Sequence, residues 1–503
     1  MISPRYVQEV NIGLPDGTVT NVTKQGGIVS IVSIYVTIHS IATPSLMLPP
    51  QYYLGAIVGC FLGGWLADRI GRVNGLFYGA MFALVGGALQ AATQSATFIL
   101  VARVVTGLGT GALTGITPVL ISEVSNATHR GGMLGYVFIA NYLGISVAYW
   151  LSFGLAFINN GYSDIRWRFL LAFQCIPAIV LLAGIRLLPD SPRFLASKGR
   201  LQEAKEVLEH VRGGRSSDVD FEFKEICAMA EHSKPNSPIE FGKILLGLDQ
   251  HVAPHLTRRA WLCLWLQIMA SWTGITAVTA YSPVLLSQAG YSTLKQNGLA
   301  GGLNTIGIIG TIISAQIVDR IGRRTCLMGG AAGLALVNLI AAILYEVSIH
   351  KPAISTSIAP AAVTMLFLFN LIYASTWGTV AFLVPTEIFP SDLRAQGNGF
   401  GITGWAIGVG MTVLVNPIMF GDIKSRTYFL FAGLNLLWVP IVYFLYPETA
   451  NRSLESIEAM FSSSSPLYSH MESAYHAGRE DLSAVIEQDV AVEKASSYLE
   501  ERA

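Results

Sequence analysis

Eleven long apolar runs constrain this chain more than any other feature, because each reaches or approaches the roughly 20 residues that an α-helix needs to cross a hydrocarbon layer. They fall near residues 52–66, 76–92, 97–119, 132–157 and 169–188, and then near 260–285, 298–318, 326–346, 361–385, 397–419 and 427–446. Water-soluble domains of comparable length carry about 25% charged residues. Here only 13% of 503 residues are charged, 52% are apolar, and the mean hydropathy is +0.51. The runs are therefore membrane spans. They are helical, since an open sheet edge is not tolerated in lipid, and their continuous apolarity excludes an alternating barrel pattern. The fold class is all-α, a polytopic membrane protein with the bilayer as its solvent. Glycines inside the spans, such as Gly107, Gly109, Gly111 and Gly115, let helix backbones approach closely.

The other compositional signals exclude function classes. Lys plus Arg (32) balances Asp plus Glu (32), so no net field recruits nucleic acid. Cys60, Cys175, Cys227, Cys263 and Cys326 stand singly, without the spacing of a disulfide framework or a metal site. No HExxH, nucleophile elbow or phosphate-cradling loop is present, so neither an enzyme nor a cofactor is implied.

The polar stretches divide the chain. Residues 1–51 precede the first clear span, 52–188 hold five spans, 189–259 form a polar linker, 260–446 hold six spans, and 447–503 form a polar tail. Helical spacing from Leu201 to Val211 predicts an amphipathic helix, lying on the membrane surface or against neighbouring loops. From Ser462 on, the mixture of Ser, Glu and Ala predicts no fixed structure. Lys and Arg near span ends are nearly balanced between the two faces. Arg193, Lys198, Arg200, Arg258 and Arg259 at the ends of the linker tip the count, making the linker side, with the tail, cytoplasmic.

An internal repeat carries chemical content. Asp68-Arg69-Ile70-Gly71-Arg72 recurs as Asp319-Arg320-Ile321-Gly322-Arg323, and Glu123 precedes Arg130 by the same seven residues that separate Glu387 from Arg394. Repetition at half-length predicts two similar helix bundles, a mark of transporters. These ten charged residues form a candidate gate: Asp68, Arg69, Arg72, Glu123 and Arg130 in one half, and Asp319, Arg320, Arg323, Glu387 and Arg394 in the other. Their carboxylates and guanidiniums can pair bidentately when the bundles close at that end. The competing reading is that the arginines only anchor the spans on the positive side.

Six strings in order, GGWLADRIGR (63–72), the stretch ARVVTGLGTG with PVLISE and RGG (102–132), LPDSPRFL (188–195), VDRIGRR (318–324), VPTEIFPSDLRAQG (384–397) and YPETANRSLESIE (446–458), resemble the sugar porter family of the major facilitator superfamily, in a fungal form. The resemblance covers residues 52–460 and implies two six-helix bundles related by pseudo-two-fold symmetry, with the N-terminal bundle incomplete here. It also implies transport of a sugar or polyol by alternating access, with coupling to a proton in some members. The family's sugar-facing positions are altered. Where it reads Gln-Gln-x-x-Gly-Ile-Asn, this chain has Ala270-Ser271-Trp272-Thr273-Gly274-Ile275-Thr276. Phe138 replaces a glutamine, Phe382 a tryptophan, and Trp405 an asparagine. Gln267, Ser271, Trp272, Thr276, Asn304, Phe382, Trp405, Asn141 and Phe138 are the substrate-binding candidates. For Gln267 and Asn304, helix-joining hydrogen bonds are the alternative reading.

The family's first helix carries an aspartate beside a helix-4 arginine, implicated in proton coupling. Arg103 matches that arginine, and no matching helix precedes residue 52, which leaves Arg103 without its usual partner. Deleting residues 32–51 would join Ile31 to Tyr52 in an uninterrupted family-like helix, so these twenty residues read as an unspliced sixty-nucleotide insert behind a misplaced start. The alternative is a genuine apolar helix from 28 to 49, broken by Pro44 and Pro49. Three further readings stay open: a non-transporting sugar sensor on the same scaffold, a carrier of a less polar metabolite, and an inactive product. The expected setting is the plasma membrane, with a small solute, lipid and in some members a proton as partners.

Overall fold

Residues 51–477 are described by a computed structural model, apart from 126–129, 156, 158–163, 213, 233–237, 249–254, 281–290, 351, 391–392, 453–456, 458–459 and 462–464. The readings of the N-terminal segment, of the insert at 32–51 up to Pro50, and of the tail beyond residue 477 lie outside these residues. Every regular element among the described residues is a helix. The N-terminal half holds α1 (Gln51–Ile70), α2 (Arg72–Ala91), α3 (Ala96–Val124), α4 (Arg130–Leu155), α5 (Asp164–Phe173) and α6 (Cys175–Ile185). A linker follows with α7 (Pro192–Ser197), α8 (Leu201–Arg212), α9 (Ser217–His232) and α10 (Pro238–Leu245). The C-terminal half holds α11 (Leu256–Ser271), α12 (Ile275–Ala280), α13 (Thr293–Ile321), α14 (Arg323–His350), α15 (Pro352–Ser375), α16 (Trp377–Ile388), α17 (Arg394–Asp422) and α18 (Arg426–Leu445). Eleven spans, several of them pairs of these helices, are long and apolar enough to cross a membrane.

The same turn is built twice. Gly71 (φ 104°) separates α1 from α2, and Gly322 (φ 94°) separates α13 from α14. Only glycine adopts this backbone without strain. A Cβ would also lie 2.0 Å from Asp190 Oδ2 at Gly71 and 2.6 Å from Glu448 Oε2 at Gly322. The DRIGR repeat therefore makes a turn on which a distant carboxylate sits.

Glycine sets the helix spacing elsewhere. A Cβ at Gly107 would be 2.0 Å from the Tyr52 carbonyl oxygen, and one at Gly59 would be 2.2 Å from that of Leu108, so α1 and α3 pack backbone to backbone. The halves meet along α1 with α17 and α4 with α13. Gly64 lies against Ala395, Gly399 against Cys60, and Gly135 against Ala315. The end that carries Arg72 and Arg323 is called the latch end below; toward the other end α4 meets α13 again, where Ser146 and Trp150 bond to Thr305 at 2.7 and 3.0 Å.

Two expectations about the polar segments are resolved. The helix expected from Leu201 to Val211 is α8, and it buries Ala204 and Leu208 against Leu195, Val219 and Ile226 of α7 and α9. Arg212 ties this cluster to the end of α3 by donating to the Val124 carbonyl at 2.8 Å while pairing with Glu222 at 2.7 Å. The tail is more ordered than its composition predicts. A helix at residues 468–477 (α19) docks on the C-terminal half, where Met471 is fully buried and Arg452 pairs with Glu472 at 2.6 Å. Two buried apolar anchors, Met460 and Phe461, precede it and were masked in the sequence by the surrounding serines.

Candidate functional site

The repeated charges build two matching networks at the latch end. In the first, Arg72 donates from Nε and Nη2 to the two Glu123 oxygens at 3.0 Å each and pairs with Asp68 at 3.1 Å. Ser191 Oγ donates to Glu123 at 2.6 Å, and the Arg72 N–H donates to Asp190 at 2.9 Å. In the second, Arg323 donates to Glu387 at 2.9 and 3.2 Å and pairs with Asp319 at 2.9 Å. Thr449 Oγ1 donates to Glu387 at 2.6 Å, and the Arg323 N–H donates to Glu448 at 2.8 Å. Burial raises the Asp190 carboxyl above its ordinary value, opposed by the bonds from the Ser191 and Arg72 N–H groups and by the Arg72 charge.

The bidentate pairs lie within each half, which corrects the expectation that they would bridge the halves. Arg72 follows Asp68 by one helical turn across the glycine and faces α3 of its own bundle. The bridging contacts are longer. Arg394 reaches Glu123 at 3.9 Å and Arg130 reaches Glu387 at 3.5 Å. Across the same seam, the Gly131 and Gly132 N–H groups at the start of α4 donate to Asp319 at 3.1 and 2.8 Å. Asn398 adds a bond from its amide to the Gly115 carbonyl at 2.6 Å. Two gate candidates stand apart. Arg69 is exposed and lies over the Trp65 ring at 5.0 Å, and Arg320 is exposed on the outer face of α13. Their place in the repeat points them toward water, one position away from the carboxylate-facing side.

Asp190, Ser191, Glu448 and Thr449 were missed as latch residues. Their signal was legible: Pro189-Asp190-Ser191 and Pro447-Glu448-Thr449 each follow the last span of a half with the same proline-acid-hydroxyl order.

Beyond the latch lies a cavity of about 550 Å³ between the halves. Trp405 lines it from α17, eleven residues after Arg394, or about 16 Å along a helix at 1.5 Å per residue, which is mid-depth in a hydrocarbon layer about 30 Å thick. Phe138 and Asn141 line it from α4, Ser271 and Thr276 from α11 and α12, and Phe382 from α16, as the sequence reading expected. Tyr52, Tyr53, Thr110, Thr114, Thr117 and Tyr373 also line it. The threonines stand about one helical turn apart on α3, a hydroxyl stripe visible in the sequence.

Three candidates do not line it. Gln267 is fully buried, with its amide donating to the Ala381 carbonyl of α16 at 2.9 Å. Asn304 is fully buried and donates to the Ala300 carbonyl at 2.9 Å. In both, the amide is held by a main-chain carbonyl: Gln267 joins α11 to α16, the helix-joining use of polar groups in lipid, whereas Asn304 bonds within α13. Trp272 packs against the core of the C-terminal half at the α11–α12 break, where Gly274 (φ 105°) turns the chain. Arg103 on α3 is half-buried and within electrostatic reach of Tyr52, so the expectation of an unpartnered arginine does not hold.

Comparison with known proteins agrees with this geometry. Residues 23–461 match the model of the family described as sugar (and other) transporter. The chain is 30% identical over 408 residues to the MFS-type transporter criB of Aspergillus cristatus, covering 81% of this chain and 82% of that one. It is 30% identical over 419 residues to the sugar transporter STL1 of Saccharomyces cerevisiae, covering 82% and 71%. It is 31% identical over 414 residues to the glucose transporter GlcP of Staphylococcus epidermidis, covering 80% and 86%. The structure of the proton:xylose symporter XylE bound to 6-bromo-6-deoxy-D-glucose matches with a TM-score of 0.70 at 22% identity, covering 82% and 88%, which establishes the major facilitator fold. With eleven membrane-capable spans among the described residues in that fold and a family match across both halves, this multi-pass membrane protein belongs to the sugar (and other) transporter family.

Proposed function

We propose that the chain carries a small neutral hydroxylated solute, of the sugar and polyol kind, across the membrane by alternating access between its two halves. The observation that carries this reading is the pairing of one mid-depth cavity, lined from both halves, with a charge network at one end that is complete only while the halves touch. Each bridging contact is worth about 1–3 kcal/mol, so breaking a few together moves an equilibrium balanced within several kcal/mol. The intra-half pairs, Arg72 with Glu123 and Arg323 with Glu387, keep their charges satisfied in either state.

In this reading residues 52–188 and 260–446 are the moving bundles, and 189–259 is a linker. The latch end, the linker and the tail at 447–503 face the cytoplasm, in the plasma membrane. The relatives named for sugar and glucose transport support the cargo class. Proton coupling is named for the H(+)/hexose cotransporter 1 of Parachlorella kessleri, and on this chain Arg103, beside the cavity-lining Tyr52, is the charge through which we place it. Proteoliposome uptake of labelled D-xylose, D-glucose and xylitol, with and without an inward proton gradient, tests the reading. Accumulation above empty liposomes is expected. Its absence for every solute, with bound solute still detected, would instead favour a sensor on the same scaffold.

A further inference from the structure

The cavity wall differs from what a free monosaccharide needs. Each sugar hydroxyl is both donor and acceptor, and a site that encloses it must offer both kinds of group. Here five of the hydroxyl donors that line the cavity are committed to the protein. Thr110 donates to the Thr106 carbonyl at 2.8 Å, Thr114 to that of Thr110 at 2.8 Å, Ser271 to that of Gln267 at 2.9 Å, and Thr279 to that of Ile275 at 2.9 Å. Tyr142 donates to Asn370 at 3.3 Å. These five hydroxyls spend their protons inside the protein, whereas Thr276 accepts from Thr412 at 3.1 Å and keeps its own.

The amides are committed as well. Gln267 and Asn304 are turned into helix carbonyls, Asn370 donates to the Leu303 carbonyl at 2.6 Å, and Asn398 bridges to Gly115. Among the described residues that line the cavity, Asn141 carries the one amide and none is Asp, Glu, Lys or Arg.

Rings take their place. Tyr53 meets Trp405 at 6.0 Å between centroids, Trp405 meets Phe382 at 6.4 Å, and Phe382 meets Phe138 at 5.1 Å. This row starts on α1, crosses to α17 and α16, and returns to α4, so it joins both halves at cavity depth. The interplanar angles of 72°, 60° and 51° suit edge-to-face contact and present ring faces and edges to an occupant.

Resting on the transport reading above, we propose that among small neutral hydroxylated solutes the cavity prefers a ring compound with an aromatic face and few hydroxyl groups over a free hexose, its ring lying against the Tyr53, Trp405, Phe382 and Phe138 row. The ring would replace the contacts that Tyr53–Trp405 and Phe138–Phe382 make across the seam, which those pairs must give up when the halves separate. A hexose in the same place would meet one amide, that of Asn141, and a wall made largely of rings.

The test is equilibrium binding to the full chain in lipid nanodiscs, with 4-hydroxybenzyl alcohol, D-glucose and xylitol as probes, beside uptake of the same three into proteoliposomes. The aromatic probe is expected to bind at least about tenfold more tightly than either polyhydroxylated probe. Trp405→Ala, at unchanged thermal unfolding, lowers that affinity by about tenfold, and Thr276→Asn, which adds an amide to the wall, shifts preference toward D-glucose. Equal or tighter binding of D-glucose overturns the proposal and leaves the transport reading to its own assay. No binding of the aromatic probe, or binding that neither Trp405→Ala nor Phe382→Ala alters, overturns it too. Binding as expected with no probe entering the liposomes sinks the transport reading and leaves the ligand class in place.

Discussion

Replacing Asp319 by asparagine isolates the part of the latch that depends on the halves touching. Asp319 lies on α13 and pairs with Arg323 of its own half at 2.9 Å, a contact that survives separation. Its two oxygens also accept the Gly131 and Gly132 N–H groups of the other half at 3.1 and 2.8 Å, at the first turn of α4. Hydrogen bonds to a charged group contribute about 1.5–3 kcal/mol each, against about 1 kcal/mol for neutral ones. A carboxylate at a helix N-terminus adds about 0.3–1 kcal/mol. Asparagine keeps one acceptor, loses the charge, and turns an NH2 group toward the second N–H. The closed arrangement should therefore lose about 2–4 kcal/mol, a change of about 30- to 1,000-fold in the closed-to-open ratio. Spin labels on Arg69→Cys and Arg320→Cys, both exposed at the latch end and on opposite halves, read the ratio by double electron–electron resonance in a chain with its native cysteines changed to serine. A longer-distance population should grow in Asp319→Asn and grow further when Arg130→Gln removes the bridging charge on Glu387 while Arg323 keeps its own pair. A distance distribution unchanged in the single and the double variant, at unchanged thermal unfolding, would refute the reasoning.

Other outcomes follow from the same contacts. Arg72→Gln leaves Glu123 buried with its main partner gone and should cost about 3–5 kcal/mol, seen as a lower thermal unfolding midpoint, whereas Arg69→Gln at the exposed neighbouring position should change it little. Gly107→Val drives a side chain into the Tyr52 carbonyl and should cost at least about 1–3 kcal/mol, with a loss of monodisperse protein, while Gly144→Ala, which has open space around it, should stay within about 0.5 kcal/mol. Arg452→Ala removes both the Glu472 pair and the stacking on Tyr475 at 4.0 Å, so the α19 segment should be cleaved faster in limited proteolysis, matching a loss of about 1–2 kcal/mol.

Among the described residues hydropathy located each of the eleven spans but misplaced many ends, and the reason is physical. Arg72, Arg130, Arg323 and Arg394 are the first residues of α2, α4, α14 and α17. An apolar window stops at a charge, whereas the helix continues through it because the charge is paired across the bundle. The latch was legible because its parts repeat at half-length, but which contacts bridge the halves was not. Seven-residue spacing says that Glu123 and Arg130 lie near one end, and only packing shows Glu123 held by Arg72 while Arg130 turns to Glu387. At the cavity, the aromatic positions and the hydroxyls of Ser271 and Thr276 were readable by resemblance. Gln267 and Asn304 misled because a buried amide in lipid gains as much from a helix carbonyl as from a ligand, and a sequence does not say which it faces. Tyr53 and Tyr373 carry no distinguishing signal among 19 tyrosines.

The central claim is that closure at one end of the halves accompanies opening at the other. Two label pairs in the same reconstituted protein test it directly: Arg69→Cys with Arg320→Cys at the latch end, and Gln94→Cys with Lys424→Cys at the opposite end, where both native residues are exposed. When Asp319→Asn and Arg130→Gln weaken the latch, the first distance should lengthen and the second shorten. Both distances moving in the same sense, or the first lengthening while the second stays fixed, would contradict the account.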